Sequence, residues 1–345
     1  MRKYIYKSIG LVLAITTFSS CLKDDSLVLD PDKGVNVIEF VNPTDIAVHG
    51  STTALYTLAY EILPTATVQT IAVSYSGPEK VAPQDIEVNF GLGTQSVIDQ
   101  YNTEQGKTGA VGTANAPYSF LPSNVYTLSA TKVVIPKGQS KASFTIAFKT
   151  NLLVVGVPYA LPLKITSVSY GTISGNFSNI LLNVVPKNKY DGVYNVKGTM
   201  VDVTNPAFSH YTVGLGSTVY QMQLRTVTAT SCVVYDPKYF NGGGYFVPFY
   251  TGSATSSFGS FCPIIEFGSD GKVVGVTNHY GVDVSSNVRN AVLVPDAAGN
   301  QYTAATKTMK IKYALTQKAG INPPLAAPFY RAVFDETWVF NGQRP

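Results

Sequence analysis

Alternating apolar and polar residues occur along most of the chain after residue 34 and predict β-strands. Residues 86–90 (IEVNF) and 310–315 (KIKYAL) are clear examples, because every second side chain is a large apolar or aromatic one. Such alternation places one face of a strand in a core and the other towards solvent. Glycine and proline pairs, as at 77–78 and 82–83, separate these stretches. The pattern predicts an all-β protein.

One segment in the first half departs from this alternation and predicts a helix. Residues 96–104 (SVIDQYNTE) place Val97, Ile98 and Tyr101 on one helical face, with Thr94 or Ser96 available as the N-cap. The strands around it have the rhythm of an immunoglobulin-like sandwich. We therefore predict that residues 35–186 form an immunoglobulin-like β-sandwich domain with a helical insertion.

The second half of the chain has the pattern of consecutive antiparallel hairpins. The turn segments 268–271 (GSDG) and 295–300 (PDAAGN) each lie between apolar stretches. A polar, proline-led stretch at 185–189 separates this half from the first. We predict a second domain over residues 187–345, an antiparallel β-barrel, with a sandwich as the alternative.

The first twenty residues have the layout of a lipoprotein signal peptide. Basic residues come first, and the apolar stretch 9–18 is shorter than the roughly 20 residues of a membrane-spanning helix. Ser19 and Ser20 then precede Cys21. We predict cleavage of residues 1–20 and attachment of lipid to Cys21; the alternative is an ordinary secretory signal with a chance cysteine.

Residues 21–34 are polar and rich in turn formers, which predicts a flexible tether. Asp24 and Asp25 stand shortly after Cys21. This acidic pair resembles the surface-export signal of Bacteroidetes lipoproteins. The resemblance implies display on the outer face of the outer membrane.

Charge excludes one class of partner. Arg2, Lys3 and Lys7 leave with the signal peptide, so 22 of the 25 basic residues remain against 21 acidic ones, and the formal net charge falls from +4 to +1. A nearly neutral chain without basic clusters does not predict binding to nucleic acid. No motif in the sequence predicts a cofactor.

Cysteine and histidine positions bear on disulfides and metals. After lipidation of Cys21, only Cys232 and Cys262 remain, and an exported protein could join them in one disulfide or keep them as two buried thiols. The three histidines are His49, His210 and His279, and none has the spacing of metal ligands. We therefore expect no metal site.

Four short blocks in the first half resemble a known family. They are residues 97–102 (VIDQYN), 118–122 (YSFLP), 134–138 (VIPKG) and 159–165 (YALPLKI). Their order and spacing are similar to the N-terminal domain of an uncharacterised family of Bacteroidetes surface lipoproteins, over roughly residues 35–186. Members of that family occur beside glycan importers and precede varied C-terminal modules, including family-18 glycosidase and lectin-like domains. The resemblance implies a fold and a setting, not a reaction.

The second half offers little for catalysis. Glycosidases need two carboxyl groups flanking the scissile bond. The plausible acids are Glu266, Asp270, Asp283, Asp296, Asp335 and Glu336. Asp270 and Asp296 lie in predicted turns, and Asp335 and Glu336 are adjacent in a predicted strand and so face opposite sides. We therefore predict that the chain is not an enzyme.

Aromatic residues concentrate in the segment 235–250 around a run of glycines, and a loop of this kind suits sugar stacking. The predicted ligand-binding residues are Tyr239, Phe240, Tyr245, Phe249, Tyr250 and, in a later strand, Trp338. The alternative is that the loop aromatics plug one end of the barrel and that Trp338 belongs to the core.

Together these features predict an outer-membrane surface lipoprotein that binds glycans without chemistry, as an accessory of a glycan import system. Its expected partners are the membrane, through the lipid anchor, an oligosaccharide or polysaccharide, and an outer-membrane importer. The alternative is a structural or protein-interaction lipoprotein, such as a transporter subunit or an adhesin-like spacer. A glycoside hydrolase is a third and weaker reading.

Overall fold

The structure is a computed structural model that describes residues 34–44, 51–111, 115–213, 220–238 and 242–344. The predicted signal peptide, Cys21 and most of the predicted tether lie outside these residues. The elements, in chain order, are β1 (Val37–Phe40), β2 (Ala54–Glu61), β3 (Thr67–Ser76), β4 (Ile86–Leu92), α1 (Gln95–Glu104), β5 (Ser119–Phe120), β6 (Tyr126–Leu128), β7 (Lys132–Ile135), β8 (Lys141–Phe148), a 3₁₀ turn (Thr150–Leu152), β9 (Tyr159–Val168), β10 (Thr172–Ile173), β11 (Asn179–Lys187), β12 (Gly192–Asp202), β13 (Ser209–His210), β14 (Tyr220–Thr226), β15 (Ser231–Tyr235), β16 (Pro248–Tyr250), β17 (Thr255–Ser257), β18 (Pro263–Phe267), β19 (Val273–Asn278), β20 (Arg289–Leu293), β21 (Gln301–Thr303), β22 (Thr308–Gln317) and β23 (Tyr330–Gly342).

Strands β1 to β11 form two sheets that enclose one apolar core, and we call this part the sandwich. One sheet has the order β10-β1-β3-β8-β6, and the other has the order β2-β11-β9-β4-β7 with β5 beside β9. Alternating residues of each strand point inward, as Ile86, Val88 and Phe90 of β4 do. The alternation in the sequence therefore predicted these strands correctly, because it reports which face is removed from water.

Helix α1 covers the outer face of the second sheet. Ile98 and Tyr101 are buried against Leu55, Ala160 and Leu181, which point outward from β2, β9 and β11. This outer apolar patch is separate from the sandwich core, so the helix packs onto the sheet and does not interrupt it. The predicted helical insertion is confirmed, beginning one residue earlier than expected.

Strands β12, β14, β15, β18, β19, β20, β21, β22 and β23 form one antiparallel sheet that curls into a nearly closed barrel. Its two edges meet where the backbone N–H of Val273 donates to the carbonyl of Asn300 at 2.9 Å and that of Tyr302 donates to Gly271 at 2.8 Å. A small sheet of β13, β16 and β17 contributes Phe249 to the same core. The predicted all-β class, with its barrel-like second half, is confirmed.

The chain passes from the sandwich to the barrel without a flexible linker. The polar stretch that predicted a boundary between residues 186 and 187 lies at the end of β11, which pairs with β2 as far as Lys187 opposite Glu61. The next residue, Asn188, is 5% exposed, and its Nδ2 donates to the carbonyls of Thr228 and Ser231, both at 2.9 Å. This amide fixes the direction in which the chain enters the barrel.

The structure decides between the two alternatives for Cys232 and Cys262: both are free thiols buried in the barrel core, and the disulfide is wrong. Cys232 lies opposite Ile265, three residues beyond Cys262 along the neighbouring strand, a distance of roughly 10 Å. A disulfide requires Cα atoms within about 7 Å. Each thiol instead has its own acceptor, Asn188 Oδ1 for Cys232 and the Val234 carbonyl for Cys262, both at 3.1 Å.

In the residues that the structure describes, no helix is both long and apolar enough to span a membrane.

Thiol chemistry tests the burial of the two cysteines. Burial raises the pKa of both thiols well above the usual value, so they remain protonated and unreactive in the folded protein. In a mature-length chain (residues 21–345, Cys21→Ser), we expect almost no reaction with a chromogenic disulfide reagent. Two equivalents should react after denaturation without reductant. If the denatured protein has no free thiol, Cys232 and Cys262 form a disulfide and the prediction is wrong.

Candidate functional site

The residues predicted to bind a ligand fall into three groups: two lie outside the described residues, two are partly exposed and two are buried. Tyr239 and Phe240 lie outside the described residues. Tyr245 and Tyr250 are partly exposed, so both retain surface for a ligand. Phe249 is 4% exposed and Trp338 is fully buried, and these two predictions are wrong.

The burial of Trp338 and Phe249 has a simple cause. Trp338 stands on β23 at an inward position, where its ring packs edge-on against Tyr194 inside the barrel. Phe249 of β16 stacks on Phe258 with ring centroids 4.3 Å apart, within the same core. Both aromatics fill volume that the curled sheet encloses, as the alternative interpretation of these residues stated.

A group of aromatic side chains lies on the outer side of the barrel, and we call it the aromatic platform. It consists of Tyr235, Tyr245, His279 and Tyr280. The Tyr235 and Tyr245 ring centroids are 5.2 Å apart, Tyr245 stacks on His279 at 4.5 Å, and His279 meets Tyr280 edge-on at 5.1 Å. Tyr280 is 46% exposed, and Tyr235 and Tyr245 are half-buried. The rings therefore form one continuous, accessible surface.

Neighbouring strands determine where the platform lies. Tyr235 is the last residue of β15 and pairs with Gln223 of β14, whereas His279 and Tyr280 follow the end of β19. Because β14, β15, β18 and β19 are consecutive in the curled sheet, these strand ends lie side by side. Tyr245 comes from the loop after β15 and lies between them.

Backbone contacts hold the loop of Tyr245 against the sheet. Asp236 and Gly244 exchange two backbone hydrogen bonds at 2.9 and 2.8 Å, and Tyr280 Oη donates to the Tyr245 carbonyl at 2.7 Å. Gly243 has φ +84°, and a Cβ there would lie 2.2 Å from the Asp236 carbonyl oxygen. Only glycine fits this turn, which explains part of the glycine run in the sequence.

Arg225 adds a cation to the platform. Its guanidinium lies 3.2 Å from the Tyr235 ring centroid and 5.9 Å from that of Tyr245, and its Nε donates to Gln223 Oε1 at 3.0 Å. Desolvation lowers the pKa of His279, so its ring is neutral at neutral pH. Arg225 covers one face of Tyr235, and the stacked Tyr245 and His279 cover one face of each other. The platform therefore offers the remaining exposed parts of these rings beside a fixed hydrogen-bond donor.

The sequence indicated only part of the platform. It pointed to Tyr245, but Arg225, His279 and Tyr280 come from other strands, and Tyr235 was not among the predicted site residues. The one available signal was the pair His279-Tyr280 directly after a strand and before Gly281, where large rings have no core to fill.

A second polar cluster lies inside the barrel and surrounds Glu336, which is 1% exposed. Its Oε1 accepts from Tyr211 Oη at 2.8 Å and lies 3.0 Å from His210 Nε2; its Oε2 accepts from Trp338 Nε1 at 2.8 Å and Tyr313 Oη at 3.0 Å. Four donors therefore satisfy one buried carboxylate, which is the condition for burying it without a large penalty.

The tautomer of His210 follows from its other contact. The backbone N–H of Thr212 donates to His210 Nδ1 at 3.3 Å, so the ring proton lies on Nε2 and is donated to Glu336. Asp236, also fully buried, accepts from Tyr220 Oη at 2.9 and 3.0 Å. Both carboxylates are saturated by protein donors and serve to fix the barrel interior.

Glu336→Gln tests the role of this carboxylate. An amide replaces one acceptor oxygen with an NH₂ group, which must face two of the four donors in either orientation. We expect the free energy of unfolding to fall by about 3 kcal/mol, measured by urea unfolding with circular dichroism. The control is Asp335→Asn on the same strand, whose side chain is 57% exposed and which should change stability by less than about 0.5 kcal/mol. Equal stability of the two variants would refute the interior role.

Comparison with known proteins supports the fold of both halves. A family model described as "-like, N-terminal domain" matches residues 42–171, less than half of the chain. No curated protein matches in a sequence search. A Bacteroides ovatus protein of unknown function is 14% identical with a TM-score of 0.51, covering 90% of this chain and 96% of that one.

Two further solved structures resemble the chain less closely. A multidomain Bacteroides ovatus protein that includes DUF1735 is 14% identical, with a TM-score of 0.45 and coverage of 88% of this chain and 94% of that one. An auxiliary nutrient binding protein of Bacteroides thetaiotaomicron is 11% identical, with a TM-score of 0.39 and coverage of 82% and 89%. The N-terminal family match and the fold shared with Bacteroides proteins of unknown function agree with the resemblance to an uncharacterised Bacteroidetes family seen in the sequence.

Proposed function

We propose that this protein captures glycans at the cell surface without chemistry and passes them to an outer-membrane importer. The observation that carries the proposal is the aromatic platform, where Tyr235, Tyr245, His279 and Tyr280 present rings on the outer side of the barrel. A cluster of partly exposed aromatic rings of this kind marks a surface that contacts a partner.

The geometry of the platform suits a sugar. The apolar face of a pyranose packs on a flat ring, and its hydroxyls need donors and acceptors at the ring edge. Arg225 lies beside Tyr235 and supplies donors, while the half-buried rings of Tyr235 and Tyr245 lose little side-chain entropy on binding because their neighbours already order them. A pre-ordered surface of this kind lowers the entropic cost of binding a ligand.

The interior of the barrel gives a reason for a non-catalytic role. Glu336 and Asp236 are both fully buried and saturated by protein donors. A glycosidase acid must reach the glycosidic oxygen of its substrate, which a buried carboxylate cannot do. The ligand surface and the buried acids lie on opposite faces of the same sheet.

The location is proposed from the sequence alone. Cleavage before Cys21, lipid on its thiol, and the acidic pair Asp24 and Asp25 would place the protein on the outer face of the outer membrane. The sandwich would then act as a spacer that carries the barrel away from the lipid surface.

Tyr245→Ala tests the aromatic platform. The variant removes the central ring and should weaken glycan binding by about tenfold, since such a contact contributes roughly 1–2 kcal/mol. Affinity gels against a panel of neutral polysaccharides, followed by calorimetry on any of these glycans that retards the protein, provide the measurement. Tyr280→Ala should have a similar effect.

The matched control is Tyr170→Ala, which removes a 39% exposed tyrosine of the sandwich and should leave binding unchanged. Failure of every glycan to retard the protein would overturn the proposal. Retardation that survives both platform substitutions would assign glycan binding to another surface.

Cys21→Ser tests the anchor. We expect loss of palmitate labelling and release of the protein from the membrane fraction, because lipid is the only proposed attachment. The control is the double change Asp24→Ala and Asp25→Ala. This variant should keep the palmitate label, and added protease should no longer digest it on intact cells, because it would no longer be displayed on the surface. Labelling of the Cys21→Ser protein would exclude this cysteine as the acylation site.

A further inference from the structure

A groove of about 1020 Å³ lies where the sandwich meets the barrel. We call it the junction groove. Its floor is the outward face of β2 and β11, formed by Thr57, Ala59, Glu61, Asn183, Val185 and Lys187. Its volume is at the upper end of the range for ligand pockets, which suits a ligand of several rings.

The floor is a ladder of three cross-strand pairs. The parallel register places Asn183 beside Thr57, Val185 beside Ala59, and Lys187 beside Glu61. From Asn183 to Lys187 the floor is roughly 13 Å long. The central pair has short apolar side chains, so a flat apolar strip lies between a neutral polar end and a charged end.

The barrel supplies the opposite wall of the groove. Tyr302 of β21, Lys307 of the turn between β21 and β22, and Arg344 near the C terminus all line it. Lys189, from the junction itself, lines the groove as well. The wall therefore adds three cations, whereas the Tyr302 ring is 5% exposed and packs mainly in the barrel core.

The charges of the groove do not balance. Arg344 is already paired, because its Nε and Nη2 donate to Asp191 at 2.8 and 3.0 Å. Among the described residues no carboxylate lies within 4 Å of the ammonium groups of Lys187, Lys189 or Lys307. Glu61 is the one other carboxylate in the lining. The lining thus holds three lysines and one unpaired carboxylate. The ammonium groups of Lys189 and Lys307 lie over the rings of Tyr190 and Phe340, at 5.1 and 4.6 Å from the ring centroids, and neither ring neutralises their charge.

Asn183 leaves one polar atom of the groove floor without a partner. Its side chain is 7% exposed, and its Nδ2 donates to Thr57 Oγ1 at 3.2 Å. Its Oδ1 is buried and has no hydrogen-bond partner. An unsatisfied buried amide oxygen costs about 1–3 kcal/mol, and a rotation of the amide towards the groove would let a ligand hydroxyl donate to it.

We propose that the junction groove binds an acidic oligosaccharide, with its carboxylate or sulfate groups on Lys187, Lys189 and Lys307 and a hydroxyl on Asn183. The choice of a sugar rests on the proposed function, whereas the negative charge follows from the groove itself. A pyranose ring would lie on the Val185 and Ala59 strip. This site is distinct from the aromatic platform, which has no lysine among its rings.

Desolvation of Lys187 agrees with an anionic ligand. Partial burial lowers the pKa of the Lys187 ammonium, because its charged form loses part of its hydration in the groove. A bound carboxylate or sulfate would replace the lost water and restore the charged form. Binding should therefore weaken with salt, because each contact is an ion pair.

Calorimetry with α-1,4-tetragalacturonate and its methyl ester tests the proposal on the mature-length chain with Cys21→Ser. The two ligands share a backbone and differ in charge, so we expect the ester to bind at least about tenfold more weakly. A chondroitin sulfate tetrasaccharide, before and after desulfation, separates sulfate from carboxylate recognition. Absence of binding by both acidic ligands, or equal binding of the ester, would overturn the proposal.

Variants locate the site. Lys307→Gln should weaken tetragalacturonate binding by about tenfold, and Lys187→Gln should do the same. The matched control is Lys310→Gln, an exposed lysine three residues further on β22 that does not line the groove. If Lys310→Gln loses as much affinity as Lys307→Gln, the groove site is refuted. Non-specific attraction between surface lysines and the acidic ligand would then explain the binding.

The outcome is separable from that of the proposed function. Tyr245→Ala should leave tetragalacturonate binding unchanged if the groove is the site. Binding of tetragalacturonate that is abolished by Tyr245→Ala and not by Lys307→Gln would move the acidic sugar to the platform and refute the groove. Groove binding with no platform binding would support this inference while refuting the platform.

Discussion

The hydrogen bonds of Asn188 determine how the two halves of this protein are arranged. The Asn188 side chain donates to two barrel carbonyls, and its own Oδ1 accepts from the Tyr190 N–H at 3.0 Å and from Cys232. Three residues further on, Asp191 binds Thr226 and Arg344. These bonds begin at the residue directly after β11, which is paired with β2 up to its last residue. The groove floor in the sandwich therefore continues directly to the groove wall in the barrel. The junction groove exists because this connection is ordered.

The barrel uses the two faces of its sheet differently. Its inner face buries Glu336 and Asp236, each saturated by tyrosine and other donors, so polar groups there specify one arrangement of the strands. Its outer face carries the aromatic platform, whose rings contact one another and a guanidinium and remain partly exposed. Strand alternation separates the two roles, because neighbouring residues such as Asp335 and Glu336 must face opposite sides.

Local pattern predicted the elements well but predicted the site only in part. The strands and helix α1 followed from periodicity. A strand that buries one face has an apolar residue at every second position, and a helix has one at every third to fourth position. Trp338 and Phe249 were assigned to a ligand because aromatic content does not reveal which side of a strand ends up enclosed. The number of cysteines left open whether Cys232 and Cys262 are bridged, and the strand register excludes it because Cys232 lies opposite Ile265, three residues from Cys262.

The amino-acid sequence by itself determined the all-β class, the helical insertion, the hairpin-rich second half and the predicted lipid anchor at Cys21, because each depends on residues close together in the chain. Only the tertiary structure decided which side chains meet. Arg225, Tyr245 and His279 come together through sheet curvature. Lys187 and Lys307 line one groove only because Asn188 orients the barrel. Contacts between distant residues depend on register and curvature, which no local pattern encodes.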